Sequence, residues 1–243
     1  MHGVITRKIT IQKAFAAGKL KYQDVNVLQP FTTAIVDPYW PYTVAPGMKN
    51  VADIQDADQK GRLSGFTRNR DGNNQYKQET PLTVEEIGKL PIGEVVGGYV
   101  FLWTVGPFLI NGSAKDILDN WGFTPASILT WAKYDLENAH GYGGVGYWLL
   151  GNAEFCIIAK RKDGERKENN YPSIRTGRSS LFVEPKTKHS SKPSNVHRLC
   201  EERFPGPYLE VFGRERRDGW TVLGNEAPDD GKDIRESLRG LIP

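Results

Sequence analysis

Apolar and polar positions divide the chain into short blocks separated by turn signals. Residues 1–30 are mixed and weakly patterned. Thr33-Ala34-Ile35-Val36 then reads as a buried strand that runs directly into Asp37-Pro38. Proline has no N–H to give to a ladder, so the strand ends there. Residues 43–80 form a polar excursion rich in Gly, Asn, Asp, Gln and Arg with no steady period. Irregular stretches beyond about 15 residues are uncommon and usually functional or disordered. Thr83-Val84-Glu85-Glu86 has the form of a capping box and opens a short helix to Leu90. Val95–Trp103 is a second apolar strand, and Pro107–Trp121 reads as one helix closed by Gly122. Ala126–Lys133 and Ala153–Lys160 follow as strands, joined through a glycine-rich loop, Gly141 to Gly146. Leu181–Glu184 predicts a short strand. Pro193 leads into a helix over Asn195–Phe204, which Pro205-Gly206-Pro207 stops. Tyr208–Phe212 and Trp220–Leu223 are the last two strands, the latter followed by Gly224-Asn225-Glu226.

Strands alternating with helices predict an α/β fold with a mostly parallel sheet and helices on both faces. One domain over residues 1–243 fits the length, with 43–80 and 161–192 as excursions and 227–243 as a charged, peripheral tail. In such sheets an acid at the C-terminal end of a buried strand is a favoured place for chemistry, which singles out Asp37.

Composition changes this picture little. Hydrophobic content of 38% and charged content of 25% are those of an ordinary globular domain. A net charge of +3 is too small to indicate a nucleic-acid partner by itself. Two cysteines, Cys156 and Cys200, do not make a disulfide framework, and a reducing cytoplasm is expected. His189 and His197 are eight apart, outside zinc-ligand spacings, so no metal is expected. No signal-peptide core and no run of about 20 apolar residues predicts a membrane association.

Four segments carry a resemblance. They are Ile35-Val36-Asp37-Pro38-Tyr39-Trp40, then Phe101-Leu102-Trp103, then Tyr147-Trp148-Leu149 with Glu154-Phe155-Cys156, and finally His189-Ser190-Ser191-Lys192-Pro193 running on to Phe204-Pro205-Gly206. The last continues through Leu209-Glu210-Val211-Phe212-Gly213-Arg214 to Gly219-Trp220 and Gly224-Asn225-Glu226. In order and spacing, over about residues 33–226, the chain resembles the MT-A70 family of N6-adenine methyltransferases. The resemblance implies a Rossmann-like methyltransferase sheet with its catalytic motif early and its cofactor motif late in the chain. It implies S-adenosyl-L-methionine as cofactor. Asp37, Pro38, Tyr39 and Trp40 would form the catalytic motif. Adenine's exocyclic nitrogen is a poor nucleophile because its lone pair is delocalised; the Asp37 carboxylate and Pro38 carbonyl would accept its hydrogens and free that pair. Trp40 would stack on the base, worth about 1–3 kcal/mol by analogy with other base–aromatic contacts. The family has a second proline where this chain has Tyr39, which predicts a looser loop and a gain in rate on Tyr39→Pro. On these residues alone, Asp-Pro after a strand reads equally as the start of a turn, with Trp40 in the core.

For the cofactor, the resemblance implies Lys160 at the methionine carboxylate, Arg214 on the cofactor side and Asp37 as a cofactor contact besides its catalytic part. Asn225 and Glu226 would hold the ribose hydroxyls, and Asp24-Val25 would frame the cofactor's adenine. Glu210 alternates with apolar neighbours, so it either faces solvent or reaches the cofactor. Candidate substrate contacts besides Trp40 are Tyr76, Lys133, Arg161 and Lys192. Basic residues crowd both excursions, as phosphate contacts or as a solvated face diluted by Asp163, Glu165 and Glu168. The glycine-rich loop opens no helix and is not a dinucleotide fingerprint. The expected partner is nucleic acid, DNA before RNA because the chain is compact, and the oligomeric state stays open between monomer and dimer. Cytosine N4 methylation and a silent nucleic-acid-binding subunit are the other readings; the retained acid Asp37 speaks against the second.

Overall fold

The computed structural model describes residues 29–41, 82–136, 140–141, 151–162, 173–185 and 192–242. The 43–80 excursion, Asp24, Val25, Tyr76 and most of the glycine-rich loop lie outside these residues.

Seven strands form one sheet: β1 (Phe31–Val36), β2 (Val96–Thr104), β3 (Phe123–Ala132), β6 (Ala153–Arg161), β7 (Leu181–Val183), β8 (Tyr208–Val211) and β9 (Trp220–Leu223). Two-residue strands β4 (Tyr134–Asp135) and β5 (His140–Gly141) pair separately. The spatial order is β7-β3-β6-β2-β1-β8-β9. Every neighbouring pair is parallel except those made by β6, which runs against both β2 and β3. The expected mostly parallel, Rossmann-like sheet is therefore present.

Central strands buried on both faces need apolar residues on both sides, and β1 and β2 have them. Ala34 and Val36 face one core with Val100 and Leu102, while Ile35 faces the other with Tyr99, Phe101 and Trp103. The first core is covered by α1 (Val84–Gly88), α2 (Ile92–Val95), α3 (Gly106–Ile110), α4 (Ser113–Asn120) and α6 (Ile234–Arg239). Helix α5 (Asn195–Arg203) covers the second through Val196, Leu199 and Cys200. The described helices between β1 and β2 thus lie on one face, and the helix leading into β8 on the other. That makes the boundary between β1 and β8 a topological switch point, where open α/β sheets leave a crevice at the carboxyl ends of the strands.

Several expectations change. The predicted capping box is real: Thr83 Oγ1 accepts from the Glu86 N–H and Glu86 accepts from the Thr83 N–H. The single helix over 107–121 is two, because Gly112 turns left-handed at φ 85° and Asn111 Oδ1 accepts from the Ser113 N–H. Strand β3 starts earlier than expected and passes Pro125 by a register shift. The tail is not peripheral. Its α6 inserts Ile234 and Leu238 into the first core, an amphipathic contact hidden in sequence by six surrounding charges at 229–236. Arg161 closes β6, so the second excursion begins after it. Among the described residues no helix is long and apolar enough to cross a membrane.

Candidate active site

The carboxyl ends of β1, β2, β8 and β9 lie at one edge of the sheet. Asp37 extends β1 by one ladder bond, its N–H donating to Val211 O at 3.2 Å. Because β6 is antiparallel, its beginning reaches the same edge: Phe155 pairs with Thr104, the last residue of β2. The end of β3 arrives there too, through Ala132 opposite Ala153.

Four charged side chains meet at this edge. Lys192 Nζ lies 2.7 Å from Asp37 Oδ2 and 3.1 Å from Glu154 Oε2. Lys133 Nζ takes the other Glu154 oxygen, Oε1, at 2.5 Å. The two ammonium groups sit over indole rings, Lys192 at 5.5 Å from Trp103 and Lys133 at 5.3 Å from Trp131. Two cations and two anions alternate, so each buried charge has an opposite neighbour. Burial pushes the Asp37 carboxyl above its usual range, against the pull of Lys192 and with help from the Glu154 charge. Burial also works against charge on Glu154, but Lys192 and Lys133 outweigh it and hold that carboxyl below its usual range. For Lys192, burial is outweighed by Asp37 and Glu154, and the ammonium is held firmly protonated.

On the β8 side of Asp37 the backbone is unusual. Phe212 adopts φ 67°, an uncommon state for a bulky residue that persists only where the surroundings enforce it. The Gly213 N–H donates to Leu223 O at 3.0 Å, and a Cβ at 213 would come within 2.3 Å of Val222 Cγ1. Only glycine allows this closure of β8 against β9. The turn delivers Arg214, whose Nη2 donates to the Tyr39 hydroxyl at 2.7 Å and whose Nε lies 2.9 Å from Glu226 Oε2. Next to Glu226, Asn225 Oδ1 is buried without a partner. Glu210, paired in the ladder with Ile35, places Oε2 3.0 Å from His197 Nε2.

The sequence candidates divide accordingly. The fold brings together Asp37, Pro38, Tyr39, Glu210, Arg214, Asn225, Glu226, Lys133 and Lys192. Two are corrected outright. Lys160 sits opposite Tyr99, which is level with Thr33, so it is about 13 Å along the strands from Asp37. It cannot serve the same site, because β6 runs the other way; Lys192 is the ammonium at the reaction edge. Arg161 is structural: its Nη1 donates to Gly93 O at 2.8 Å and its guanidinium lies 5.2 Å from the Phe123 ring. Trp40 is also moved. It is 6% exposed, stacks on Phe108 at 4.6 Å and donates from Nε1 to Trp103 O at 2.9 Å. Its faces are core faces and are not open to a base. The Tyr39 side chain, which stands where the family has proline, is anchored: its ring packs edge-on against Phe212 at 6.2 Å and its hydroxyl accepts from Arg214. Glu226 is engaged by Arg214, leaving Asn225 as the open polar group. Sequence reading assigned no role to Glu154, although it heads one of the segments carrying the resemblance.

A mixed, mostly parallel sheet with an acid at its switch point is a Rossmann-like arrangement. Residues 66–226 match the MT-A70 family model, and the chain belongs to that family, whose methyltransferases use S-adenosyl-L-methionine. The match begins beyond Asp37–Trp40, so that motif is placed by its position at the end of β1. No curated protein matches the chain. The site fits the cofactor: the orphaned Asn225 Oδ1 and the Glu210 carboxylate are acceptors for hydroxyl groups, and Lys192 is a cation for a carboxylate.

Proposed function

We propose that the protein methylates the N6 amine of adenine in DNA. The single observation carrying this reading is Asp37 at the end of β1, between the Lys192–Glu154–Lys133 cluster on one side and the Arg214 turn on the other. Bound S-adenosyl-L-methionine supplies an electrophilic methyl group on a sulfonium. Glu210, Arg214 and Asn225 hold and orient the cofactor along the ends of β8 and β9. Lys192 occupies Asp37 Oδ2 and leaves Oδ1 to accept one amine hydrogen; the Pro38 carbonyl accepts the other. A carboxyl whose affinity for protons burial has raised is suited to take the proton the amine sheds after transfer. In a duplex, the adenine leaves the stack to reach this edge.

The test is transfer of a labelled methyl group to DNA and RNA oligonucleotides by the full chain. Label in adenine-containing DNA that disappears in Asp37→Ala is the expected result. Label confined to RNA moves the substrate, and equal label with Asp37→Ala refutes the assigned centre.

A further inference from the structure

His197 lies one turn into α5, on the face of the sheet that carries Glu210, and it is buried. Its Nε2 is 3.0 Å from Glu210 Oε2, while its Nδ1 is buried without a partner. These two facts together place the proton. A proton on Nδ1 would bury an N–H with no acceptor, whereas an unprotonated Nδ1 hides only a lone pair. Nε2–H is therefore the donor and the Glu210 carboxylate the acceptor. The ring has little freedom to turn. Its edge packs on Trp220 at 5.0 Å, and Trp220 is itself stacked on Tyr208 at 4.8 Å and tied through Nε1 to Glu201 at 2.8 Å.

Glu210 is confined from the other side as well. A Cβ at Gly213 would meet its Cγ at 3.1 Å and Cδ at 3.2 Å, so the turn after β8 closes directly over the carboxyl. A glutamate on a half-open strand end normally samples several rotamers, and fixing one costs side-chain entropy. Here a helix packed on the same face of the sheet fixes it before any ligand arrives.

We propose that His197 is a positioning residue for cofactor binding: by donating from Nε2 to Glu210 Oε2 it leaves Glu210 Oε1 preorganised to accept from the cofactor's ribose hydroxyls. The inference rests on the reading of Glu210 as a cofactor acceptor. Preorganisation of this kind acts on affinity, because the ordering is done in advance.

The test is calorimetric binding of S-adenosyl-L-homocysteine and S-adenosyl-L-methionine to the full chain, alongside cofactor KM and kcat. His197→Phe, which keeps a ring and loses the donor, weakens cofactor binding by about tenfold, the scale of one lost hydrogen bond to a charged group. The loss falls on cofactor KM rather than kcat. His197→Gln, which restores an amide donor near the Nε2 position, recovers most of the affinity. In a Glu210→Ala background, which removes the acceptor, His197→Phe adds nothing further. Additive losses in that double variant would overturn the inference, since they would mean that His197 acts by packing alone. Wild-type affinity in His197→Phe would overturn it too. Unchanged affinity in Glu210→Ala alone would remove the reading of Glu210, and the inference with it. Thermal unfolding monitors folding; should His197→Phe fail to fold, His197→Asn, polar but too short to reach Glu210, carries the same comparison.

Discussion

Lys192 Nζ bridges Asp37 Oδ2 at 2.7 Å and Glu154 Oε2 at 3.1 Å, so one ammonium ties together the end of β1 and the beginning of β6. The two strands run in opposite directions with β2 between them. The contact therefore exists only because the sheet places an antiparallel strand at that position. It fixes one carboxylate oxygen of the candidate catalytic acid and leaves the other to substrate.

Removing the acid should abolish transfer without removing the cofactor site. We expect Asp37→Asn to lower kcat by at least about a hundredfold, the scale seen when one preorganised transition-state partner is lost. Cofactor binding measured by calorimetry should stay within a few-fold, because Glu210, Arg214 and Asn225 are untouched.

Lys192→Met should damage both stability and rate. It removes the cation between Asp37 and Glu154 and leaves Lys133 beside Glu154 alone. The loss should be about 2 kcal/mol in urea unfolding, less than the full cost of breaking a dry pair because Asp37 keeps 23% of its side-chain surface exposed. Wild-type unfolding free energy in this variant would show that the bridge is not formed in solution.

The pH dependence has two opposite signs. Asp37 is raised by burial, against Lys192 and with Glu154 adding to the rise, so the acid limb of kcat should fall at a pH above the ordinary aspartate range. Glu154→Gln removes a like charge and should move that limb to lower pH. For stability, the raised Asp37 contributes most at pH below its unfolded value and loses that contribution as pH rises through its folded value. Glu154 is depressed on balance by the two lysines, so its contribution is present above its unfolded value and is lost as pH falls through the folded one. The stability advantage of wild type over Glu154→Gln should therefore shrink on acidification, as thermal unfolding across the acid range would reveal.

Tyr39→Phe deletes the hydroxyl that receives Arg214 and should weaken cofactor binding several-fold, about the effect of one exposed-edge hydrogen bond. Tyr39→Pro deletes the Phe212 contact as well and should give no gain in rate. A faster Tyr39→Pro enzyme would show that backbone stiffness outweighs the side-chain anchor.

Trp40→Ala should act on folding. With both the Phe108 stack and the bond to Trp103 O lost, about 3–5 kcal/mol of stability should go, as for other buried tryptophans. If Trp40→Phe keeps the stability loss small and also keeps target affinity, the ring is confirmed as core; selective loss of oligonucleotide affinity would restore a base-stacking role.

Much of this was legible in the chain. The apolar run Thr33–Val36 ending at Asp37-Pro38 locates β1 and its acid, since a strand buried on both faces must be continuously apolar and proline must end it. The capping box at Thr83, α5 after Pro193, and β8 and β9 each follow from local rules that act within a few residues. So does the family, whose C-terminal block lies inside the matched span.

What the chain could not disclose is direction and depth. An apolar strand such as Ala153–Arg161 has the same side-chain alternation whether it runs parallel or antiparallel, so nothing local says whether Glu154 at its start or Lys160 near its end reaches Asp37. Trp40 likewise has the same residue type whether it faces a base or Phe108. The acid and its strand were set by sequence, because hydrophobic burial and proline's missing N–H act locally. Its electrostatic partners were set by tertiary structure, because the sheet order and the segment before α5 bring Glu154 and Lys192, 117 and 155 positions further along the chain, to the end of β1.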